Sequence, residues 1–240
     1  MNNLKTLFIP EEIKNTELAG KLVVIIDVLR ASSTIVTALA NGCSGFIPIF
    51  SPDQARKKAQ QFERGKLLLG GERKGIKIDG FDLGNSPREY QRETVKDKTI
   101  IFSTTNGVKT LEMVKSAHRI IVGSFLNLQA VCDYCSNYKG DILLICAGKE
   151  GEFSLEDAAC AGMIINSLKD VFPGDHQASD ANFTAQLLCE KFDNNILEIL
   201  RKSQHGGYLE SIGLEKDLKF CSQLDFFQIV PIFRDGIIAI

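Results

Sequence analysis

The strongest constraint on the fold is a phrase the chain repeats: a short apolar run, a polar cluster, then apolar residues at helical spacing. Lys21 to Ile26 runs apolar, Asp27 to Thr34 is polar, and Ile35, Val36 and Leu39 follow before Asn41-Gly42 stops the helix. Phe46 to Phe50 then reads as a strand, Ser51-Pro52 as an N-cap and first helical residue, and Ala55, Ala59 and Phe62 as the buried stripe of a helix ended by Gly65. Leu67 to Gly71, Thr99 to Phe102, Arg119 to Val122 and Asp141 to Cys146 supply further strands. Helical faces lie at Val108, Leu111 and Val114 and from Asn127 to Tyr138. This alternation predicts an α/β fold with three layers, α/β/α, around a parallel-rich mixed sheet. A helix from Ser154 to Asp170 follows, then a break at Pro173-Gly174 and a longer helix from Asn182 to Lys202. Phe226 to Ile240 reads as two strands joined by Arg234-Asp235-Gly236, an antiparallel C-terminal edge. Gly75 to Arg88 is rich in breakers and reads as a long ordered loop, a class that usually carries function. With no repeat, linker or low-complexity tract, residues 1–240 read as a single α/β domain.

Composition narrows the function. With 240 residues, 44% of them hydrophobic, the chain can bury a full core without disulfides. Its 28 basic and 30 acidic residues nearly cancel, so no broad field favours nucleic acid or an anionic membrane, and a small molecule is the expected partner. Self-association into a homo-oligomer is left open. The longest apolar stretches, Leu22 to Ile26 and Ile142 to Ala147, fall far short of the roughly 20 residues that span a bilayer. Met1 to Glu12, with Lys5, Pro10 and two glutamates, matches a secretory signal poorly, so the expected location is cytoplasmic. Cys132 and Cys135 form a C-x-x-C, but they share a helical face with Leu128, Val131 and Tyr138 and read as core. His118, His176 and His205 are too few for a histidine-rich metal site, and only His205, followed by Gly206-Gly207, is set apart.

In open α/β sheets, ligands collect where strands end and helices begin. The first such loop, Asp27-Val28-Leu29-Arg30-Ala31-Ser32-Ser33-Thr34, holds an acid, a guanidinium and three hydroxyls, suited either to an anion with a metal or to ordinary capping. The second, Ser103-Thr104-Thr105-Asn106-Gly107, could cradle phosphate or sulfonate oxygens or form a cap and tight turn. The third runs from Ala147-Gly148-Lys149 to Asp157, where Ser154 and Asp157 have capping-box spacing and Glu156 is left over. The fourth, Gly70 to Gly75, fails as a P-loop because Ile76 stands where lysine is required, but it carries Glu72 and Arg73, an acid for a hard cation and a fork for an oxyanion.

Taken in order, Asp27 to Thr34, Gly71-Glu72-Arg73 with Gly80-Phe81-Asp82-Leu83-Gly84-Asn85-Ser86-Pro87, Ser103 to Gly107, and Ala147-Gly148 with Ser154-Leu155-Glu156-Asp157 resemble the 2-phosphosulfolactate phosphatase family along most of the chain. The resemblance implies a magnesium-dependent hydrolase converting 2-phospho-3-sulfolactate to 3-sulfolactate and phosphate, a step in making coenzyme M in methanogens. The family also occurs where coenzyme M is not made, so the chemistry is the firmer implication. Such a substrate carries phosphate, sulfonate and carboxylate, and its site needs donors and a cation. Asp27 and Arg30 are the expected catalytic residues. Ser32, Ser33, Thr34, Arg73, Asn85, Ser103, Thr104, Thr105 and Asn106 are the expected substrate contacts. Asp27, Glu72 and Asp157 are the expected Mg²⁺ ligands, with Asp82 and Glu156 in reserve. The rival reading is a non-catalytic protein that binds a phosphorylated or sulfonated anion, which leaves the clustered acids unexplained.

Overall fold

A computed structural model of the chain describes residues 3–63, 65–172 and 179–240. Ten strands form one sheet: β1 (Leu4–Leu7), β2 (Leu22–Ile26), β3 (Gly45–Pro48), β4 (Leu67–Arg73), β5 (Ile76–Lys77), β6 (Thr99–Ser103), β7 (Arg119–Gly123), β8 (Ile142–Cys146), β9 (Ile232–Arg234) and β10 (Ile237–Ala239). Their order across the sheet is β1-β8-β2-β7-β9-β10-β3-β6-β4-β5. The helices are α1 (Ala31–Ala40), α2 (Pro52–Ala59), α3 (Arg92–Val95), α4 (Gly107–Met113), α5 (Leu128–Ser136), α6 (Leu155–Leu168), α7 (Asp180–Lys191), α8 (Ile196–Lys202), α9 (Gln204–Ser211) and α10 (Glu215–Cys221). No helix among the described residues is long and apolar enough to cross a membrane.

The apolar runs build the layers. Because side chains alternate along a strand, Leu22, Val24 and Ile26 of β2 join one core and Val23 and Ile25 join another. The first core packs Ile142, Leu144 and Cys146 of β8 against α5 and α6, with Ile199, Leu209 and Leu218 of the C-terminal helices outside them. The second packs Leu143 and Ile145 against Ile35, Ala38 and Leu39 of α1 and Leu111 of α4. Strands buried on both faces must be apolar throughout, as β2 and β8 are. Cys132 and Cys135 are buried free thiols in the first core, and burial pushes both thiols up, Cys132 to about 11.

Two expectations need correction, and one strand was not foreseen. The antiparallel C-terminal pair exists, but it lies inside the sheet, with β9 against β7 and β10 against β3. It joins a parallel block, β1-β8-β2-β7, to a second, β3-β6-β4, whose facing edges would otherwise stay unpaired. Residues 182–202 are not one helix: Asp193 and Asn194, at φ 49 and 54, separate α7 from α8, and Asp and Asn tolerate that left-handed backbone well. Leu4 to Leu7 is a further strand, paired to β8. The break at Pro173-Gly174, and His176, lie outside the described residues.

Candidate active site

The strand register brings the functional loops to one edge of the sheet. Ile26 stands opposite Cys146, so the loops after β2 and β8 start level. Gly71 of β4 stands opposite Ser103 of β6, at φ 146, and a side chain there would strike the Ser103 carbonyl. That close approach sets Glu72 beside the loop after β6. The four loops line a pocket of about 200 Å³ with Asp27, Arg30, Glu72, Lys74, Asn85, Thr104, Thr105, Asn106 and Lys149. His205 and Tyr208 of α9 complete it.

Asp27 is buried at the start of α1. Its Oδ1 accepts from the Ala31 amide at 3.1 Å, capping the helix, while its own amide donates to Ser32 Oγ at 3.0 Å. Burial pushes the Asp27 carboxyl up to about 7, against the pull of the Ala31 hydrogen bond, and the charges of Glu72 and Glu156 push it the same way. Glu72 Oε1 accepts from the amide of Thr105 at 3.1 Å and its hydroxyl at 3.2 Å, and Oε2 from the Gly75 amide at 2.9 Å.

Arg30 is locked in place. One nitrogen donates to Asp217 Oδ2 at 2.7 Å in an ion pair whose side chains are only 2% and 0% exposed, and another donates to the Gly75 carbonyl at 2.7 Å. Asp217, on α10, also accepts from Ser86 Oγ at 2.7 Å. Two buried charges hold such a position only when paired, so the C-terminal helices reach the site through this contact.

Among the described residues, six buried side-chain nitrogen or oxygen atoms have no protein partner, and four belong to this pocket's lining: Arg30 Nε, Asn85 Oδ1, Thr104 Oγ1 and His205 Nδ1. Unpaired buried polar atoms are rare in folded proteins. Their concentration around one pocket marks a place built for a polar ligand.

The metal expectation divides. Asp27 and Glu72 share the pocket, and the charge of Glu72 raises the cost of ionising Asp27, a tension that a hard dication relieves. One or two carboxylates with water and substrate oxygens are what magnesium ordinarily takes, so this pair fits. No group of three or more His, Cys, Asp or Glu side chains able to hold a metal occurs among the described residues. Asp157 does not line the pocket: its Oδ1 accepts from the Val28 amide at 2.8 Å and its Oδ2 from the Gly148 amide at 3.2 Å. It thereby ties the first loop to the third, and burial pushes its carboxyl well up. Only half of the capping box forms, with Ser154 Oγ accepting from the Asp157 amide at 3.3 Å. Asp82 is spent on the Leu69 amide at 2.8 Å, and Glu156 is buried beside Asp157.

The expected substrate contacts also divide. Asn85, Thr104, Thr105 and Asn106 line the pocket. Ser32, Ser33 and Thr34 do not; Ser33 Oγ donates to the Val28 carbonyl at 2.8 Å and Thr34 Oγ1 to the Asn85 carbonyl at 2.9 Å. Arg73 follows Glu72 in β4 and so faces the other way. Its guanidinium donates to the Phe50 carbonyl and to Ser103 Oγ at 3.0 Å and lies over the Phe50 ring, and Ser103 donates to Phe50 in turn. Neither lines the pocket. Sequence reasoning passed over Lys74, Lys149 and Tyr208. Lys149 stood within a quoted loop, whereas Tyr208 lies three residues beyond His205 on a helix with no motif of its own.

The fold and site define an α/β protein with a charged, ligand-sized pocket at the carboxyl ends of parallel strands, equipped for a small polyanion. A profile of the 2-phosphosulpholactate phosphatase family matches residues 7–236. The chain is 42% identical over 235 residues to a "Probable 2-phosphosulfolactate phosphatase" of Caldanaerobacter subterraneus subsp. tengcongensis, covering 98% of this chain and 97% of that one. A protein so named in Clostridium perfringens strain 13 is 42% identical over 93% of this chain and 90% of its own. Another, in Thermotoga petrophila, is 45% identical over 89% of each. This chain belongs to the 2-phosphosulfolactate phosphatase family.

Proposed function

We propose that the chain is a magnesium-dependent phosphatase that hydrolyses 2-phospho-3-sulfolactate, or a related phospho-2-hydroxy acid, to the free hydroxy acid and phosphate. Family membership supports the reaction class, a phosphoric monoester hydrolysis. The observation that carries the reading at atomic level is the meeting of Asp27 and Arg30, from the loop after β2, with Glu72, from the distant end of β4, at one pocket.

Asp27 and Glu72 would hold the ion, Glu72 fixed by three donors and Asp27 by one. When bound, magnesium would supply positive charge to offset that of the phosphoryl oxygens. Arg30, held rigid by Asp217 and Gly75, offers its charge to the equatorial oxygens without having to reorganise during reaction. Thr104 Oγ1 and the Asn106 side chain stand at the same pocket to orient phosphoryl or carboxylate oxygens.

The test is phosphate release from 2-phospho-3-sulfolactate and from phospholactate, with Mg²⁺ and with chelator. Turnover that depends on Mg²⁺ is the expected result. Tight anion binding in chelator with no ester turned over would make the chain a binding protein instead. A phosphoryl group trapped on Asp27 by acid quench would make this carboxylate the nucleophile.

A further inference from the structure

The pocket is divided by charge. Asp27 and Glu72 supply its buried carboxylates and Glu150 a third next to Lys149, while Lys149, Lys74 and His205 gather around Tyr208 in a cluster that the proposed phosphoryl chemistry does not use. Among the described residues neither Lys149 nor Lys74 forms an ion pair. Both are mounted on closed turns. Lys149 and Glu152 exchange backbone hydrogen bonds at 3.0 and 2.9 Å, and Asp157 anchors the preceding Gly148. The Lys74 carbonyl accepts from the Tyr208 hydroxyl at 2.9 Å, and the Lys149 ammonium lies 5.5 Å from the centre of the Tyr208 ring. A cation over an aromatic face keeps its N–H donors for another partner.

His205 stacks on Tyr208 and keeps its buried Nδ1 unpaired. Burial, then the charges of Lys149 and Arg30, bring its pKa down to about 4, so the ring is neutral near pH 7 and two cations converge on it. Gly206 makes this placement feasible: a side chain there would strike the Leu200 carbonyl, so α9 can lie close against α8 only with glycine at this position.

We infer that Lys149, with His205 and Tyr208, forms a second anion subsite that takes the sulfonate of the substrate while the phosphoryl group sits at Asp27 and Glu72. This rests on the proposed phosphatase reading for the identity of the substrate but not for the existence of the subsite. A sulfonate stays ionised at all working pH values and presents three acceptor oxygens, which suit an ammonium and a neutral N–H donor. The buried carboxylates of Asp27 and Glu72 exclude it unless they are neutralised. The subsite therefore selects esters bearing a strong acid remote from phosphorus.

The test measures binding of 3-sulfolactate and of lactate by calorimetry, and hydrolysis of 2-phospho-3-sulfolactate and phospholactate, in the native chain and in Lys149→Gln and Lys149→Arg. The native chain should bind 3-sulfolactate more tightly than lactate. Lys149→Gln should shrink that preference by about 10-fold, the effect of one charge-assisted hydrogen bond, with the same fall in the kcat/KM ratio of the two esters; Lys149→Arg should restore most of it. An unchanged preference in Lys149→Gln, or none in the native chain, overturns the subsite. Lys149-dependent 3-sulfolactate binding with no hydrolysis of either ester would uphold the subsite and overturn the phosphatase reading alone.

Discussion

The loops after β2 and β6 each bring three consecutive hydroxyl residues to a helix start, Ser32-Ser33-Thr34 and Ser103-Thr104-Thr105, yet they are used in opposite ways. The first three lie within the opening turn of α1, and Ser33 and Thr34 donate to the loop carbonyls of Val28 and Asn85. Thr104 and Thr105 lie before α4, one with its hydroxyl unpaired at the pocket and the other holding Glu72. Register against the helix start, more than composition, decides whether a hydroxyl braces the backbone or faces a ligand. Of these two loops, the first brings charges to the pocket and the second brings hydroxyls.

The largest test of that division is Arg30→Ala. It should lower kcat/KM by about 10²- to 10³-fold, the scale of a lost oxyanion donor. It should also cost about 3–5 kcal/mol in urea denaturation because Asp217 is left buried and unpaired. Arg30 therefore cannot be removed with the fold unaffected, and native stability in the variant would dissolve the ion pair. Asp27→Asn should lose turnover on the same scale while keeping its acceptor oxygen for Ala31 and hence its folded state by circular dichroism. Full activity would remove Asp27 from the mechanism.

The hydroxyls are compared directly by two small changes. Thr105→Val frees one side of Glu72 and should reduce kcat/KM by about 10-fold, the worth of a hydrogen bond to a charged group, with little shift in the urea midpoint. Ser33→Ala should cost about 1 kcal/mol of stability and leave kcat/KM near native. If these two effects exchange places, the contrast between the loops is wrong.

A pH series examines the third partner of the pocket, α9. His205 is depressed from 6.5 to about 4, so between those values the unfolded chain binds the proton and the folded chain does not. Stability contributed by neutral His205 is therefore present above about pH 6.5 and lost as pH falls toward 4. The difference in unfolding free energy between the native chain and His205→Gln should shrink over that window, and a pH-independent difference would show the ring to be solvated. The smallest effect should be that of Cys132→Ser, which lowers stability slightly through its buried site and leaves the kinetics unaltered.

Much of the scaffold was legible because strands covered on both faces leave an unbroken apolar signature, as in Leu22 to Ile26 and Ile142 to Cys146. Leu4-Lys5-Thr6-Leu7 was not, since it is short and interrupted by polar residues. The boundary at Asp193-Asn194 has neither glycine nor proline to announce it. At the pocket, Asp27, Arg30, Glu72, Asn85 and Thr104 to Asn106 were legible because each follows a strand, sits near the end of one as Glu72 does in β4, or lies in the long loop. Arg73 lies outside the pocket lining because neighbours in a strand point to opposite faces, a distinction that spacing alone does not resolve. Lys149, His205 and Tyr208 meet only after α6 to α10 have packed, and no local pattern encodes that meeting.

The hairpin of β9 and β10 has a bearing on how the molecule comes to exist. Asp27 and Lys149 belong to one block of the sheet, Glu72 and Thr104 to the other, and within the sheet, among the described residues, these blocks are bridged by residues 231–239. While the chain emerges from a ribosome, every residue of the pocket is synthesised before the seam that aligns its two walls. Trimming that hairpin should therefore unfasten the catalytic cleft down its middle, where the loss of a peripheral strand would merely fray a border.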